Sequence, residues 1–256
     1  MMNLFDVSGK VVLVTGGSRG IGEMIARGFV EGGAKVYISS RKAEVCEALA
    51  AELSANGGTC IAIPADLSTE AECQRLAYEL GQRENHLDVL VNNAGATWGA
   101  PMAETDESAF ERVLALNVKG VFHLTKFLRP MLERAGTADS PARVINIGSI
   151  DGIHVPIMDT FAYSTSKAAV HQLTRHMAKS MAPTITVNAI APGPFESKMM
   201  KATLDAFGDS IAAGAPMKRI GRPDDVAGTA IFLASRASSY ITGVILPVDG
   251  GIATVG

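Results

Sequence analysis

Seven short apolar runs recur along the chain, each followed by a longer stretch with apolar positions at helical spacing. The runs are KVVLVT (10–15), KVYISS (35–40), TCIAIPA (59–65), LDVLVNN (87–93), ARVINIGS (142–149), ITVNAIAP (185–192) and GVILPVD (243–249). They are rich in Val and Ile and do not alternate apolar with polar, which is how strands covered on both faces read. Between them the spacing predicts helices over 20–32, 42–56, 69–84, 107–134, 160–182 and 223–235. Strand–helix alternation of this kind predicts right-handed crossovers and a single α/β domain over 1–256, built on a doubly wound parallel sheet of about seven strands. Ligands of such sheets collect beyond the carboxyl ends of the strands, so chemistry is to be sought in the loops that follow them. One segment, 193–222, breaks the alternation. Uninterrupted loops of that length in compact domains are usually functional, and this one reads as a substrate loop.

Composition narrows the setting. Hydrophobic residues make up 47% of 256, enough for a core on both sides of a sheet. The net charge of −3 is scattered, which leaves no electrostatic footprint for nucleic acid or an anionic membrane. The three cysteines, Cys46, Cys60 and Cys73, form no close pair, which argues against a disulfide frame or a zinc knuckle and for a reduced, cytoplasmic setting. The run VVLV (11–14) is too short to span a membrane and is ended by Gly16 and Gly17. His86, His123, His154, His171 and His176 make no metal-ligand pattern, so no metal is expected.

The candidate chemistry begins after the first run, at TGGSRGIG (15–22). A glycine-rich turn opening a helix lets backbone N–H groups approach a pyrophosphate, with the positive end of the helix dipole behind them. Further on, Tyr163 and Lys167 stand four residues apart on a predicted helix and so share a face. A nearby ammonium favours the phenolate, which would let Tyr163 exchange protons.

With NNAG at 92–95, Asn117 in LALNVKG, Ser149 in INIGSI, and Pro192–Gly193 after the sixth run, these motifs resemble the short-chain dehydrogenase/reductase family across nearly the whole chain and in its order. The resemblance implies a Rossmann-type sheet and hydride transfer between a nicotinamide cofactor and a carbonyl carbon. It implies a catalytic set of Asn117, Ser149, Tyr163 and Lys167. Tyr163 would be general acid in reduction and base in oxidation, with Lys167 and the oxidised cofactor supplying positive charge. Ser149 would hydrogen-bond the substrate oxygen, and Asn117 would hold a water linking Lys167 to solvent. Cofactor contacts are carried over to Gly16, Ser18, Arg19, Gly20, Ile21, Gly22, Ser40, Arg41, Asp66, Leu67, Asn93, Ala94, Gly95, Tyr163, Lys167, Pro192, Gly193, Phe195 and Ser197. One departure stands out: Ser149 and Tyr163 are 14 residues apart where many relatives have 13, so the intervening DGIHVPIMDTF shapes a pocket of its own.

The end of the second run reads ISSRK, with Ser40 where NAD-selective folds place an acidic residue. Arg41 follows, and Arg19 lies in the glycine turn. Two guanidinium groups and no carboxylate predict NADPH/NADP+. Phe195, Met199, Met200, Leu204, Phe207 and Ile211, with Trp98, Pro156, Ile157 and Met158, suggest an apolar substrate pocket and a small-molecule ketone or alcohol. The insertion GTADSPARVINIGS is similar to that of bacterial 3-oxoacyl reductases of the rhamnolipid-synthesis kind, which favours a 3-oxoacyl reductase. The turn MAPTIT lacks the arginine common in acyl-carrier-protein reductases, so a CoA thioester or free ketone stays open. A sugar, polyol or alicyclic alcohol dehydrogenase is the alternative, and a non-catalytic nucleotide-binding regulator is the alternative of another class. At the start of the third helix, Ser68 reads as a better cap than Asp66. Apolar residues along 107–134, among them Val113, Val121, Phe122 and Leu124, exceed what one sheet face can cover. With the resemblance, they predict a homotetramer.

Overall fold

The computed structural model describes residues 3–55, 57–198 and 200–255. Seven parallel strands form one sheet: β1 (Val11–Thr15), β2 (Lys35–Ser39), β3 (Thr59–Ala62), β4 (Val89–Asn92), β5 (Ala142–Ile147), β6 (Ile185–Pro192) and β7 (Ile245–Val248). Their order is β3-β2-β1-β4-β5-β6-β7, so the chain reverses direction across the sheet between β1 and β4. Helices α1 (Gly20–Glu31), α2 (Ala43–Ala55), α3 (Glu70–Gly81), α4 (Glu107–Leu114), α5 (Val121–Ala135), α6 (Phe161–Met181), α7 (Lys201–Gly214), α8 (Pro223–Ala234) and the short α9 (Ile252–Val255) complete the order.

The sheet is covered on both faces. β1, β4, β5 and β6 are buried along their full length. One apolar cluster, with Val12, Val14, Ile25, Phe29 and Val226, fills one face. A second, with Leu13, Tyr37, Leu90, Leu124 and Leu128, fills the other. This two-sided cover is why the runs show no alternation. Most strands end before the runs do, and the residues beyond them, such as Asn93 and Ser149, form the loops at the carboxyl edge.

Two expectations are corrected. The helix foreseen over 107–134 is broken by a π-helical segment at Ala115–Gly120. Asn117 is its third residue, and its side chain is held by the loop after β4. The extra residue per turn is what lets it reach there. Within segment 193–222, α7 occupies the middle, where Leu204, Phe207 and Ile211 recur at helical spacing; none of the residues of α7 is fully buried. The cap of α3 is neither Ser68 nor Asp66 but Thr69, whose hydroxyl accepts from the N–H of Glu72. Asp66 instead accepts from the N–H of Ser68.

Candidate active site

The glycine turn and the loop after β4 are built as one unit. Thr15 ends β1, and its hydroxyl accepts from the N–H groups of Asn93 at 2.9 Å and Ala94 at 3.0 Å. The Asn93 amide donates back to the carbonyls of Thr15 at 2.8 Å and Gly16 at 3.2 Å. Gly16 has φ +63°, and a Cβ on Gly22 would lie 2.3 Å from both the Asn93 Nδ2 and the Gly16 carbonyl. Only glycine fits these two places. Arg19, exposed at the N-cap of α1, supplies no side-chain cap. The first turn therefore presents N–H groups that no described side chain engages. Ser18 is buried beneath the turn, and Ile21 packs on the core from the first turn of α1. A Cβ on Gly20 would sit 3.2 Å from the Ser197 Cβ, which places the start of the substrate segment over the glycine turn. Pro192 ends β6, and Gly193 lies so close to Asp249 that a side chain would meet it at 2.7 Å.

A cleft runs from the end of β2 to the π segment, lined by Arg41, Asp66, Ser68, Ala96, Arg112 and Leu116. Ser40 is half-buried at its edge, and its hydroxyl donates to the Lys42 carbonyl at 3.4 Å. Leu67 turns its side chain into the core, which leaves Asp66 as the residue of this pair facing the cleft. Arg112 and Leu116 were not read from the sequence as site residues. They come from α4 and the π segment, far along the chain, and no local motif marks them. Arg112 also lies 4.6 Å from the centroid of the Trp98 ring, a cation–π contact.

The second group of candidates gathers where β5 ends and α6 begins. Ser149 caps the short turn Ile150–Gly152 by accepting from the N–H of Asp151 at 3.1 Å. Its hydroxyl lies close enough to the Tyr163 phenol to favour the anion. Lys167 is buried, donates through Nζ to the Ile147 carbonyl at 2.8 Å, and stands 5.4 Å from the centroid of the Tyr163 ring. A Cβ on Gly95 would lie 3.4 Å from the Asn117 Oδ1 and 3.8 Å from the Lys167 Nζ, so this glycine borders both side chains.

The electrostatics differ from the sequence expectation. In the protein alone, burial pushes the Tyr163 phenol up to about 12; Ser149 opposes this and the Asp151 carboxylate adds to it. Burial likewise drives Lys167 down to about 8, against the pull of Asp151. Desolvation thus outweighs any lowering of the phenol by the ammonium. The Asn117 side chain is held between the loop after β4 and α6. Its Oδ1 accepts from the N–H of Ala96 at 2.8 Å, and its Nδ2 donates to the Ala96 carbonyl and the Ser166 hydroxyl, both at 2.9 Å.

The expected apolar pocket is partly redistributed. Phe195 is buried in the core, its ring against Gly221, where any Cβ would clash at 2.3 Å. Met199 lies outside the described residues, and Met200 is half-buried at the start of α7. Trp98, Val155, Ile157, Met158 and Phe207 are exposed, with Ile157 at 104%. His154 is half-buried, its Nδ1 3.0 Å from the Val155 carbonyl. Among the described residues, no group of His, Cys, Asp and Glu could hold a metal ion.

A family model described as enoyl-(acyl carrier protein) reductase matches residues 16–253. The chain belongs to the short-chain dehydrogenase/reductase family. It is 49% identical over 250 residues to the rhamnolipids biosynthesis 3-oxoacyl-[acyl-carrier-protein] reductase of Pseudomonas aeruginosa, with 96% of this chain and 97% of that one covered. It is 35% identical over 257 residues to the 5-keto-D-gluconate 5-reductase of Escherichia coli, covering 98% of each. Among solved structures, the Pseudomonas aeruginosa RhlG/NADP active-site complex superposes with a TM-score of 0.95 at 48% identity, covering 99% of this chain and 100% of that one. A gluconate 5-dehydrogenase from Burkholderia cenocepacia, solved with NADP and tartrate, gives 0.92 at 32% identity, covering 99% and 98%.

Proposed function

We propose that the protein reduces a ketone to a secondary alcohol with NADPH, and that its substrate is a 3-oxoacyl thioester or another apolar ketone. The observation that carries this reading is the meeting of Ser149, Tyr163 and Lys167 at the carboxyl edge of the sheet, beside the uncapped start of α1. The residues present fit a dinucleotide. Gly16, Gly20 and Gly22 leave a cradle that a Cβ would fill or strain, and Ser18, Arg19, Ile21, Asn93, Ala94 and Gly95 would border it. Asp66 and Leu116 line a cleft that would take the adenine ring, with Arg41 beside them for a phosphate. Pro192, Gly193, Ser197 and the backbone of Phe195 would close over the far end.

A bound nicotinamide cofactor would supply the hydride. The rest of the chemistry belongs to this chain. Ser149 would donate to the carbonyl oxygen and hold it near the phenol. Tyr163 would give that oxygen its proton, and a phenol held up to about 12 keeps its proton until the oxygen calls for it. Lys167 would stabilise the phenolate left behind. Asn117 would anchor α6 through Ser166 and fix where Tyr163 starts.

The exposed apolar side chains of 155–158 support an acyl or alicyclic substrate over a bare sugar. The similarity to gluconate enzymes supports the rival sugar reading. A panel of 3-oxoacyl-CoA, 3-oxoacyl-carrier, alicyclic and keto-sugar substrates, followed by NADPH absorbance, separates them. Turnover confined to keto-sugars would overturn the acyl reading. No described helix is long and apolar enough to cross a membrane. A cytoplasmic homotetramer is the assembly we favour, supported by the outward Phe122 and Tyr240 and the half-exposed β7.

A further inference from the structure

His171 lies two turns beyond Tyr163 and one turn beyond Lys167, on the same face of α6. It is buried and belongs to none of the roles described so far. Its imidazole is wedged between the two glycines that bracket Ser149. A Cβ on Gly148 would lie 2.2 Å from the His171 Nε2, and one on Gly152 would lie 2.8 Å from its Cε1. The same position on Gly152 would also meet the Lys167 carbonyl carbon at 2.7 Å, so the Ser149 turn rests directly on the backbone of α6. The ring faces the Gly152 backbone, the polar group that favours its protonated form. Among the described residues Nε2 has no hydrogen-bond partner, which leaves Nδ1 as the nitrogen able to donate toward the Gly152 carbonyl.

We propose that His171 is a positioning residue: its neutral imidazole holds the turn that carries Ser149 in register with the helix that carries Tyr163. This rests on the reading that Ser149 and Tyr163 handle the substrate oxygen. The tautomer follows from the surroundings. Nδ1 carries the hydrogen toward Gly152, while Nε2 faces the Gly148 Cα, where a second proton would find no acceptor. Burial, with Lys167 and Arg175 as cationic neighbours, holds the ring neutral down to about 4. The ring accounts for glycine at 148, and the ring together with the backbone of α6 accounts for glycine at 152.

The test compares two amides of like polarity. In His171→Asn the Nδ2 takes the place of the ring Nδ1 and keeps the donor to Gly152. In His171→Gln the donor falls where Nε2 lies and cannot reach it. His171→Asn should keep kcat within about threefold, and His171→Gln should lose about tenfold or more, the scale of a slight misplacement of reacting groups. The Kd for NADPH should stay put in both. Hydrogen exchange over 148–154 should quicken only in the Gln variant. Equal kcat and equal exchange in the two variants would overturn the proposal, as would failure of both to fold. Tyr163→Phe run alongside tests the underlying reading separately: if it turns over normally, the catalytic reading fails while the exchange contrast still decides what His171 holds.

Discussion

Asn117 and Ser166 are joined by a hydrogen bond of 2.9 Å from Nδ2 to Oγ, and the Ser166 hydroxyl in turn donates to the Tyr163 carbonyl at 2.7 Å. The π segment and the first turn of α6 are thereby tied by one buried serine. Ser166→Ala leaves the Asn117 Nδ2 with one acceptor fewer. A loss of about 1–3 kcal/mol is expected, the cost of an unsatisfied buried donor, read from denaturant midpoints at unchanged m. Wild-type stability would mean that water replaces the hydroxyl.

Tyr163→Phe keeps the ring and removes the proton. A fall in kcat of at least ~10²-fold is expected, the scale for losing a general acid, with the Kd for NADPH little changed. Near-normal turnover would remove Tyr163 from the reaction.

The end of β2 sets cofactor choice on the reading above. The unmodified protein should favour NADPH over NADH by at least ~10-fold in kcat/KM, about 1.4 kcal/mol. Ser40→Asp combined with Arg41→Ala should move the preference toward NADH. A native preference for NADH would show that Arg41 and Arg19 serve something other than a phosphate.

Lys167 gives stability a pH signature. Its folded value of about 8 lies below the ordinary 10.5, because burial disfavours the ammonium. Between those values the unfolded chain binds more protons, so this group's contribution to stability rises with pH through that window. Below about 8 the charged lysine is a standing cost. Lys167→Met should therefore raise Tm at pH 7, and the gain should shrink by pH 10. A gain that grows with pH would contradict the assignment. The Tyr163 phenol, raised from 10.0 to about 12 by burial, acts in the opposite sense only above 10.

Phe122 on α5 is 46% exposed while Val121 and Leu124 beside it are buried, and Tyr240 before β7 is fully exposed. If these faces meet in a tetramer, light scattering will give four times the 26.8 kDa chain mass. A Phe122→Arg variant should shift that mass downward. A monomer at micromolar concentration would reject the assembly.

The sheet was legible because burial on both faces leaves uninterrupted Val and Ile runs, and β6 runs over the residues foreseen. The sequence also marked Gly16 and Gly22, whose close contacts admit no side chain. What escaped it depends on contacts far along the chain. The π segment exists because Asn117 meets Ala96, 21 residues earlier, and no pattern within the helix encodes that. Phe195 looked like a pocket residue by composition, but Gly221 opens a core site for its ring. Arg112 and Leu116 reach the cleft only through the packing of α4 and the π segment. The phenol's rise was hidden because adjacency of charges is visible in a sequence and desolvation is not.

Trp98 is the only tryptophan in the chain, and it sits under Arg112 at the mouth of the cleft that also holds Arg41 and Asp66. The molecule thus carries a built-in optical reporter at its entrance. Excited at wavelengths that the four tyrosines do not absorb, it emits from one known place. Rearrangement of Arg112 alters the polarity around the indole, so stopped-flow fluorescence can time events at the doorway separately from turnover.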